Sequence, residues 1–414
     1  MSHLEKNSRI EQLTILRYWC ALGVLLAHCS DVLFRGVYSR EVDIFLSIFK
    51  SLAGPSMTGF FILSGVVMYL NYGPSLEEEH LNRKVLTSFF KNRVIRLYPL
   101  WCVAILLDLI LWSRASYSIS DYWQGLPYYL TMTQSWIYKT LDNFSLNFVL
   151  GVSTNVGWSI SVEWFFYICF PILMLIISRL RTRRNLLVFM ILTISIYFAW
   201  YGFLYFEAFN ESSATYELIV GTNNVNMASL NQWADSAGRW LIYFNPFLWI
   251  FCFLIGILAC KFSFKLEDLK ITLTQLKFAT AIGWISLLVL TYNSYVVPFS
   301  ESLWIYRFGA IYAPSITLIV SANILKARIF GIIPQNKFLL ECGEMSYAMY
   351  LFHFPLIVKF KDWHHEPFAQ SEFGWLYETS RVLVIVTAIH LAAKAINDYV
   401  DVPIRLYLKR RLNN

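Results

Sequence analysis

Runs of about 20 mostly apolar residues recur along this chain, separated by shorter polar stretches. They fall at residues 13–34, 51–70, 94–113, 157–177, 186–206, 241–260, 278–297, 304–325, 344–360 and 376–398. A helix of about 20 residues spans the roughly 30 Å of a bilayer's hydrocarbon core. Inside lipid a backbone must satisfy its own hydrogen bonds, which restricts spanning segments to helices and closed barrels. The expectation is therefore an all-α, polytopic membrane protein, a bundle of about ten transmembrane helices forming a single domain over residues 1–414.

Composition agrees with this. Of 414 residues, 57% are hydrophobic and only 15% charged, which is not the balance of a soluble domain. The 15 Trp and 25 Tyr suit rings that sit at headgroup level. The formal net charge of +7 sorts by loop. With a cytoplasmic N-terminus, the inner segments collect the "RLRTRR" cluster of 179–184, Lys261, Lys265 and the closing Lys409, Arg410 and Arg411. The outer segments hold few basic residues, among them Arg35, Arg40, Arg114 and Arg239. The positive-inside rule then puts both termini in the cytoplasm. The excess charge belongs to loops, so a nucleic-acid partner is not expected. Arg17 and His28 inside the first apolar stretch argue for a retained span, not a cleaved signal peptide.

Seven cysteines occur, mostly in apolar runs and without a C-x-x-C pair, so they read as small core hydrophobes. The pair His364 and His365 beside Glu366 is weak evidence for a metal, and no metal site is expected. The N-x-S/T triplets at Asn143 and Asn210 carry little weight. Stretch 122–150 is aromatic and amphipathic and should pack on the outer face, and the polar loop 207–240 can cover the outer mouth.

The chemistry-bearing residues lie within the apolar runs, where polar groups are costly and usually functional. "LRYWCALGVLLAH" places Arg17 and His28 eleven residues apart. Eleven steps of about 100° bring both to nearly one helix face, roughly 16 Å apart along the axis. Arg17 can simply snorkel to headgroups, whereas His28 sits deep enough to favour a functional reading. "GWSISVEWFFY" puts Glu163 four residues after Ser159, on one face, and a buried carboxylate there needs a partner or a proton. That partner can be His28 or an arginine. In "MSYAMYLFHFP", Ser346, Tyr350 and His353 form one stripe, with His353 either a second catalytic group, a relay or a packing contact. "RVIRLYPLW" sets Arg93 and Arg96 at the mouth of a span, to bind phosphate or to anchor the helix. "GFFILSG" brings Gly59, Ser64 and Gly65 together, small enough for close helix contact or a ligand. Asp108, Arg307 and His390 are expected to pair within the bundle. Cys29 lies about 100° from His28 around the helix, which speaks against a Cys-His nucleophile.

These stretches, in this order and with the closing "YVDVPIR", resemble the acyltransferase 3 family of integral membrane acyltransferases, including its Arg-x10-His feature at Arg17 and His28. Asp401 stands where Glu is more usual before proline. No hydrolase-like domain follows, so transfer is expected to finish in the membrane part or pass to another protein. The resemblance implies transfer of an acyl group, often acetyl, from cytoplasmic acyl-CoA to a hydroxyl of a surface polysaccharide or its lipid-linked precursor. It also implies a multi-pass protein of the plasma membrane, most simply the bacterial inner membrane, with no tightly bound cofactor. In that frame His28 is the general base, Glu163 and Arg17 complete the catalytic set, and Arg17, Arg93 and Arg96 hold the donor. Ser64, Ser159, Ser346, Tyr350 and His353 become candidate substrate contacts. The rival reading is a transporter or exporter of a polysaccharide precursor, which also places His and Glu at mid-membrane. It predicts flux without chemistry, and the chain lacks the inverted repeat that many transporters show.

Overall fold

The computed structural model describes residues 3–33, 48–78, 82–112, 119–141, 144–147, 150–151, 153–208, 237–266, 269, 271–296, 309–325, 336–361, 363 and 373–413. Nearly all of these are helical. The helices are α1 (His3–Leu33), α2 (Ala53–Glu78), α3 (Arg83–Leu107), α4 (Ile119–Leu130), α5 (Trp158–Ile177), α6 (Arg183–Ala208) and α7 (Pro246–Leu266). They continue as α8 (Leu273–Val296), α9 (Ala313–Ile324), α10 (Lys337–Glu344), α11 (Ser346–Phe360), α12 (Gly374–Ile396) and α13 (Val402–Asn413). A two-residue antiparallel pair, Thr140–Leu141 with Phe144–Ser145, is the strand structure among the described residues.

Among the described residues, seven helical stretches are long and apolar enough to cross a membrane: Glu11–Ser30, Ile48–Glu78, Asn155–Ile177, Arg183–Glu207, Ala237–Leu266, Leu273–Ser294 and Gly374–Arg411. They coincide with seven of the ten runs read from sequence. The other three differ for visible reasons. Run 94–113 falls in α3, whose length is studded with Arg83, Lys84, Lys91, Arg93 and Arg96 and ends in a π turn at Asp108–Trp112. Run 344–360 forms α11, only 15 residues long, hence about 22 Å. Run 304–325 contributes the 12-residue α9, and Arg307 lies outside the described residues. So do Asn143, Asn210, His364, His365, Glu366 and almost all of loop 207–240.

The centre of the bundle is built on α1, α2, α7 and α11. Two glycines let α2 and α7 touch backbone to backbone. A Cβ on Gly65 would lie 2.0 Å from the Phe253 carbonyl oxygen, and one on Gly256 would lie 2.0 Å from that of Ile62. Small residues of this kind are what close helix crossings in membranes require. Around the crossing, Phe61, Phe166, Trp249 and Phe253 interlock with ring centroids 4.8–5.2 Å apart, a spacing at which aromatic pairs add to their burial. At the periphery α8 presents Phe278, Ile285, Leu288 and Tyr292 outward. Such exposed apolar faces fit lipid and not water.

Helix directions follow from the contacts. Gly23 of α1 faces Ser56, and Cys20 faces Gly59, so α1 and α2 run antiparallel. Trp101 meets Gly157 while Arg93 lies over Tyr167, so α3 and α5 are antiparallel as well. The segment between α4 and α5, expected on one face of the bundle, is tied down by buried hydrogen bonds. Trp101 Nε1 donates to the Tyr129 carbonyl (2.7 Å), Tyr129 OH to that of Leu146 (2.8 Å), and Gln134 to that of Gly157 (3.0 Å). Asp108 anchors the turn before α5 by accepting from the backbone of Ser153 (2.6 Å) and Thr154 (2.8 Å) and from the Thr154 hydroxyl (2.7 Å). His390, the other group expected to pair, receives the Tyr18 hydroxyl at 3.0 Å.

Candidate active site

α1 carries Arg17 and His28 at two levels of the bundle, and each level has its own company. At the Arg17 level, α2, α3, α5 and α11 leave an open cavity. Its charged lining is Arg17, Arg96 and Glu163. Its hydroxyl lining is Ser64, Ser159, Ser346, Tyr167, Tyr347 and Tyr350. The apolar remainder includes Met57, Phe60 and Phe61.

Glu163 is well satisfied there. It accepts the Ser64 hydroxyl at 3.2 Å and the hydroxyl of Tyr167, one turn along α5. Arg17 lines the same cavity. Arg96 stacks over Tyr347, 5.5 Å from the ring centroid, and stands 4.0 Å from the buried Asp401. Asp401 in turn pairs with Arg405 at 2.8 Å. The closing "YVDVPIR" segment thus reaches the cavity wall through Arg96. Arg93 behaves differently. Its guanidinium is held between Tyr72 and Tyr167, at 5.3 and 5.5 Å from their centroids, and donates to the Tyr72 hydroxyl at 3.1 Å. It is not part of the cavity lining.

Toward the His28 level the cavity is lined by Ser159 and Tyr350, whose hydroxyls are 2.7 Å apart. One turn beyond Tyr350 on α11 comes His353, fully buried, and against it lies His28. His28 Nδ1 and His353 Nε2 are 2.7 Å apart, with the rings stacked at 5.0 Å and 13°. The tautomers follow from the network. His353 Nδ1 is 2.7 Å from the Tyr350 carbonyl oxygen, which can only accept. That nitrogen therefore carries the proton, and in a neutral ring Nε2 does not. His353 Nε2 must then accept from His28 Nδ1–H. The lone pair of His28 is left on Nε2. Phe354 packs edge-on against the His28 ring at 5.3 Å and limits its rotation.

Sequence reasoning picked out both histidines without joining them. It offers His28 or an arginine as the partner of Glu163, and the described contacts give Glu163 the hydroxyls of Ser64 and Tyr167 while His28 meets His353. The stripe of Ser346, Tyr350 and His353 does face one way, two members lining the cavity and the third abutting it. Tyr167 and Tyr347 were passed over. The four-residue step from Glu163 to Tyr167 was the available signal for the first. Among the described residues no group of three or more His, Cys, Asp or Glu side chains forms a metal cluster, and all seven cysteines are free thiols.

Comparison with known proteins gives this constellation its setting. Residues 10–392 match the acyltransferase domain of the acyltransferase 3 family. Acyltransferase MdmB of Streptomyces mycarofaciens is 28% identical over 179 residues, 42% of each chain. Nodulation protein 10 of Rhizobium leguminosarum bv. viciae is 25% identical over 182 residues, covering 42% of this chain and 47% of that one. O-acetyltransferase OatA of Staphylococcus aureus is 23% identical over 310 residues, covering 72% of this chain and 45% of its own length. The chain thus spans less than half the length of each of these relatives. No solved structure matches it significantly. With a family match over nearly its whole length and membrane-length helices among the described residues, the chain belongs to the acyltransferase 3 family of membrane acyltransferases.

Proposed function

We propose that this protein is a multi-pass O-acyltransferase that moves an acyl group, most simply acetyl, from acyl-CoA to a hydroxyl of a surface or lipid-linked carbohydrate, with His28 as general base. The observation that carries the reading is the chain from the Tyr350 carbonyl through His353 to His28, because it leaves a lone pair on His28 Nε2. A neutral imidazole has an unperturbed pKa of about 6.5 and accepts a proton near working pH. A thioester is already activated, so the enzyme's task is to deprotonate the attacking hydroxyl and hold the charge that develops.

In the proposed step, the acceptor hydroxyl gives its proton to His28 Nε2 as its oxygen forms a bond to the thioester carbonyl carbon. The tetrahedral intermediate collapses, the C–S bond breaks, and the departing thiolate takes the proton back from His28. His353 holds the imidazole in the required tautomer throughout. The donor fits the other level. Arg17 and Arg96 supply two cations against one carboxylate, Glu163, which favours the phosphates of the donor. The cavity's hydroxyls suit a pantetheine arm rising the roughly 16 Å from Arg17 to His28. The name of the OatA relative, an O-acetyltransferase, supports acetyl as the group moved.

The orientation proposed is ten spans with both termini in the cytoplasm of a bacterial inner membrane. The Arg17 level then faces the donor's compartment and the His28 level the acceptor's. Cysteine-accessibility labelling at residue 75 and at the C-terminus tests it, and labelling of both from outside would reverse it. Mass spectrometry of the surface glycan with and without the gene tests the chemistry. An acyl mass lost from the repeating unit is the expected result. An unmodified glycan that merely fails to reach the surface would favour the exporter reading.

A further inference from the structure

α12 grips both helices that carry the histidine pair. Arg381 is buried at 3% exposure, beside Glu378 at 2%. One of its terminal nitrogens donates to the Glu378 carboxylate at 3.2 Å and lies 3.4 Å from the carbonyl of Leu33 of α1. The other donates at 2.9 Å to the carbonyl of Lys361, which caps the end of α11. The Lys361 carbonyl, at a helix C-terminus, has no partner within its own helix, and such carbonyls attract cations. A planar guanidinium reaches carbonyls on two helices in a fixed geometry.

His28 lies five residues before Leu33, and His353 eight residues before Lys361, so the grip is about 7.5 Å and 12 Å along the respective axes from the two rings. Nearer the other end of α12, His390 receives the Tyr18 hydroxyl at 3.0 Å. α12 is therefore fixed to α1 on both sides of His28. We infer that Arg381, oriented by Glu378, is a positioning residue that sets the register of α1 against α11 and so holds His28 on His353. The inference rests on the proposal that His28 is the base.

The test uses the full-length protein in detergent, with radiolabelled acetyl-CoA as donor and native membranes as the source of acceptor. R381K keeps the charge but reaches one carbonyl, not two. The double variant E378Q/R381M removes both charges, so no buried carboxylate is stranded. Each should lower kcat about 10-fold, since small misplacement of reacting groups is costly, with the KM for acetyl-CoA unchanged. The acid limb of the kcat/KM profile should move, which loss of folded protein alone cannot do. In an H353Q background R381K should add little. Nitrogen NMR of labelled histidines should lose the signal of the shared proton between His28 and His353. Wild-type kcat with intact histidine signals in R381K would overturn the inference. Failure of both variants to fold would assign the pair to stability and overturn it too. If H28A still turns over, the base reading falls separately, and the histidine spectrum alone decides whether Arg381 holds the pair.

Discussion

The two ends of the site differ in what their polar groups are bonded to. At the Arg17 end, two guanidinium groups, a carboxylate and six hydroxyls border open space. At the His28 end, two imidazoles are bonded to each other and to a backbone carbonyl, with proton positions assigned by the network. The first arrangement suits a large charged substrate that arrives and leaves, since its contacts must be remade each cycle. The second suits one proton transferred in a fixed direction, where a misplaced ring is costly. The pair Ser159 and Tyr350 marks the boundary, lining the cavity on one side and reaching His353 through the Tyr350 carbonyl on the other. In the proposed mechanism, binding and chemistry are separated along one helix by about three turns.

The sharpest break of that division is His28→Ala. It should lower turnover by about 10²–10⁴-fold, the usual worth of a general base, with the KM for donor little changed. His28→Gln should do nearly as badly, because an amide bonds but cannot carry the proton. His353→Ala should cost less than either, since it frees the orientation of the base without removing it. In the wild type, kcat/KM should fall as acid protonates His28. Purified, folded variants assayed with labelled acetyl-CoA give the answer, and wild-type turnover in His28→Ala would end the mechanism.

At the opposite end the expected effect moves from kcat to KM. Arg17→Ala or Arg96→Ala should each remove a charge-assisted contact of about 1.5–3 kcal/mol, hence raise the donor KM about 10–100-fold. Steady-state kinetics with acetyl-CoA and with its dephosphorylated analogue would sharpen this. A penalty equal for both donors would move the arginines away from the phosphates that distinguish them.

The separation into two levels was half legible in the sequence. Arg17 and His28 share a face because helical periodicity is local, and the same arithmetic grouped Ser159 with Glu163 and Ser346 with Tyr350 and His353. The spans were legible where apolar residues ran unbroken. They blurred in α3, where arginines interrupt the run because they turn to the cavity and to its tyrosines, and in α11, too short to cross alone. What periodicity cannot supply is the partner across the bundle. The two histidines are 325 residues apart in sequence, and nothing local distinguishes His353 from Glu163 as the group that meets His28. The same limit hid Arg381, whose meaning lies in two carbonyls on other helices.

At the boundary a smaller effect is expected. Ser159→Ala or Tyr350→Phe removes the hydrogen bond the two hydroxyls share, worth about 0.5–1.5 kcal/mol, and Ser159→Ala also removes the bond to the Val156 carbonyl. Either should lower kcat/KM by less than about 10-fold. A double-mutant cycle separates roles here. If the two hydroxyls serve only each other, the double variant should lose no more than the worse single one. Losses that multiply would mean each touches substrate independently.

The smallest effect is expected at Arg93, and it discriminates between two arginines that the sequence presents as equals. Both stand in "RVIRLYPLW" one turn apart, but Arg96 borders the cavity whereas Arg93 is packed between Tyr72 and Tyr167. Arg93→Lys retains the charge and gives up the flat stacking surface. The loss should be about 1 kcal/mol of stability, the scale of a cation–π contact at a partly desolvated site. Because Tyr167 donates to Glu163, a slight loosening of that carboxylate should follow. The donor KM should then shift less than about 3-fold, while Arg96→Lys, which alters a group in the cavity itself, shifts it more. Melting temperature and donor KM measured side by side for the two variants make the comparison direct. If Arg93→Lys raises the donor KM as much as Arg96→Lys without lowering the melting temperature, Arg93 contacts the donor, and the line between packing and binding runs on the other side of it.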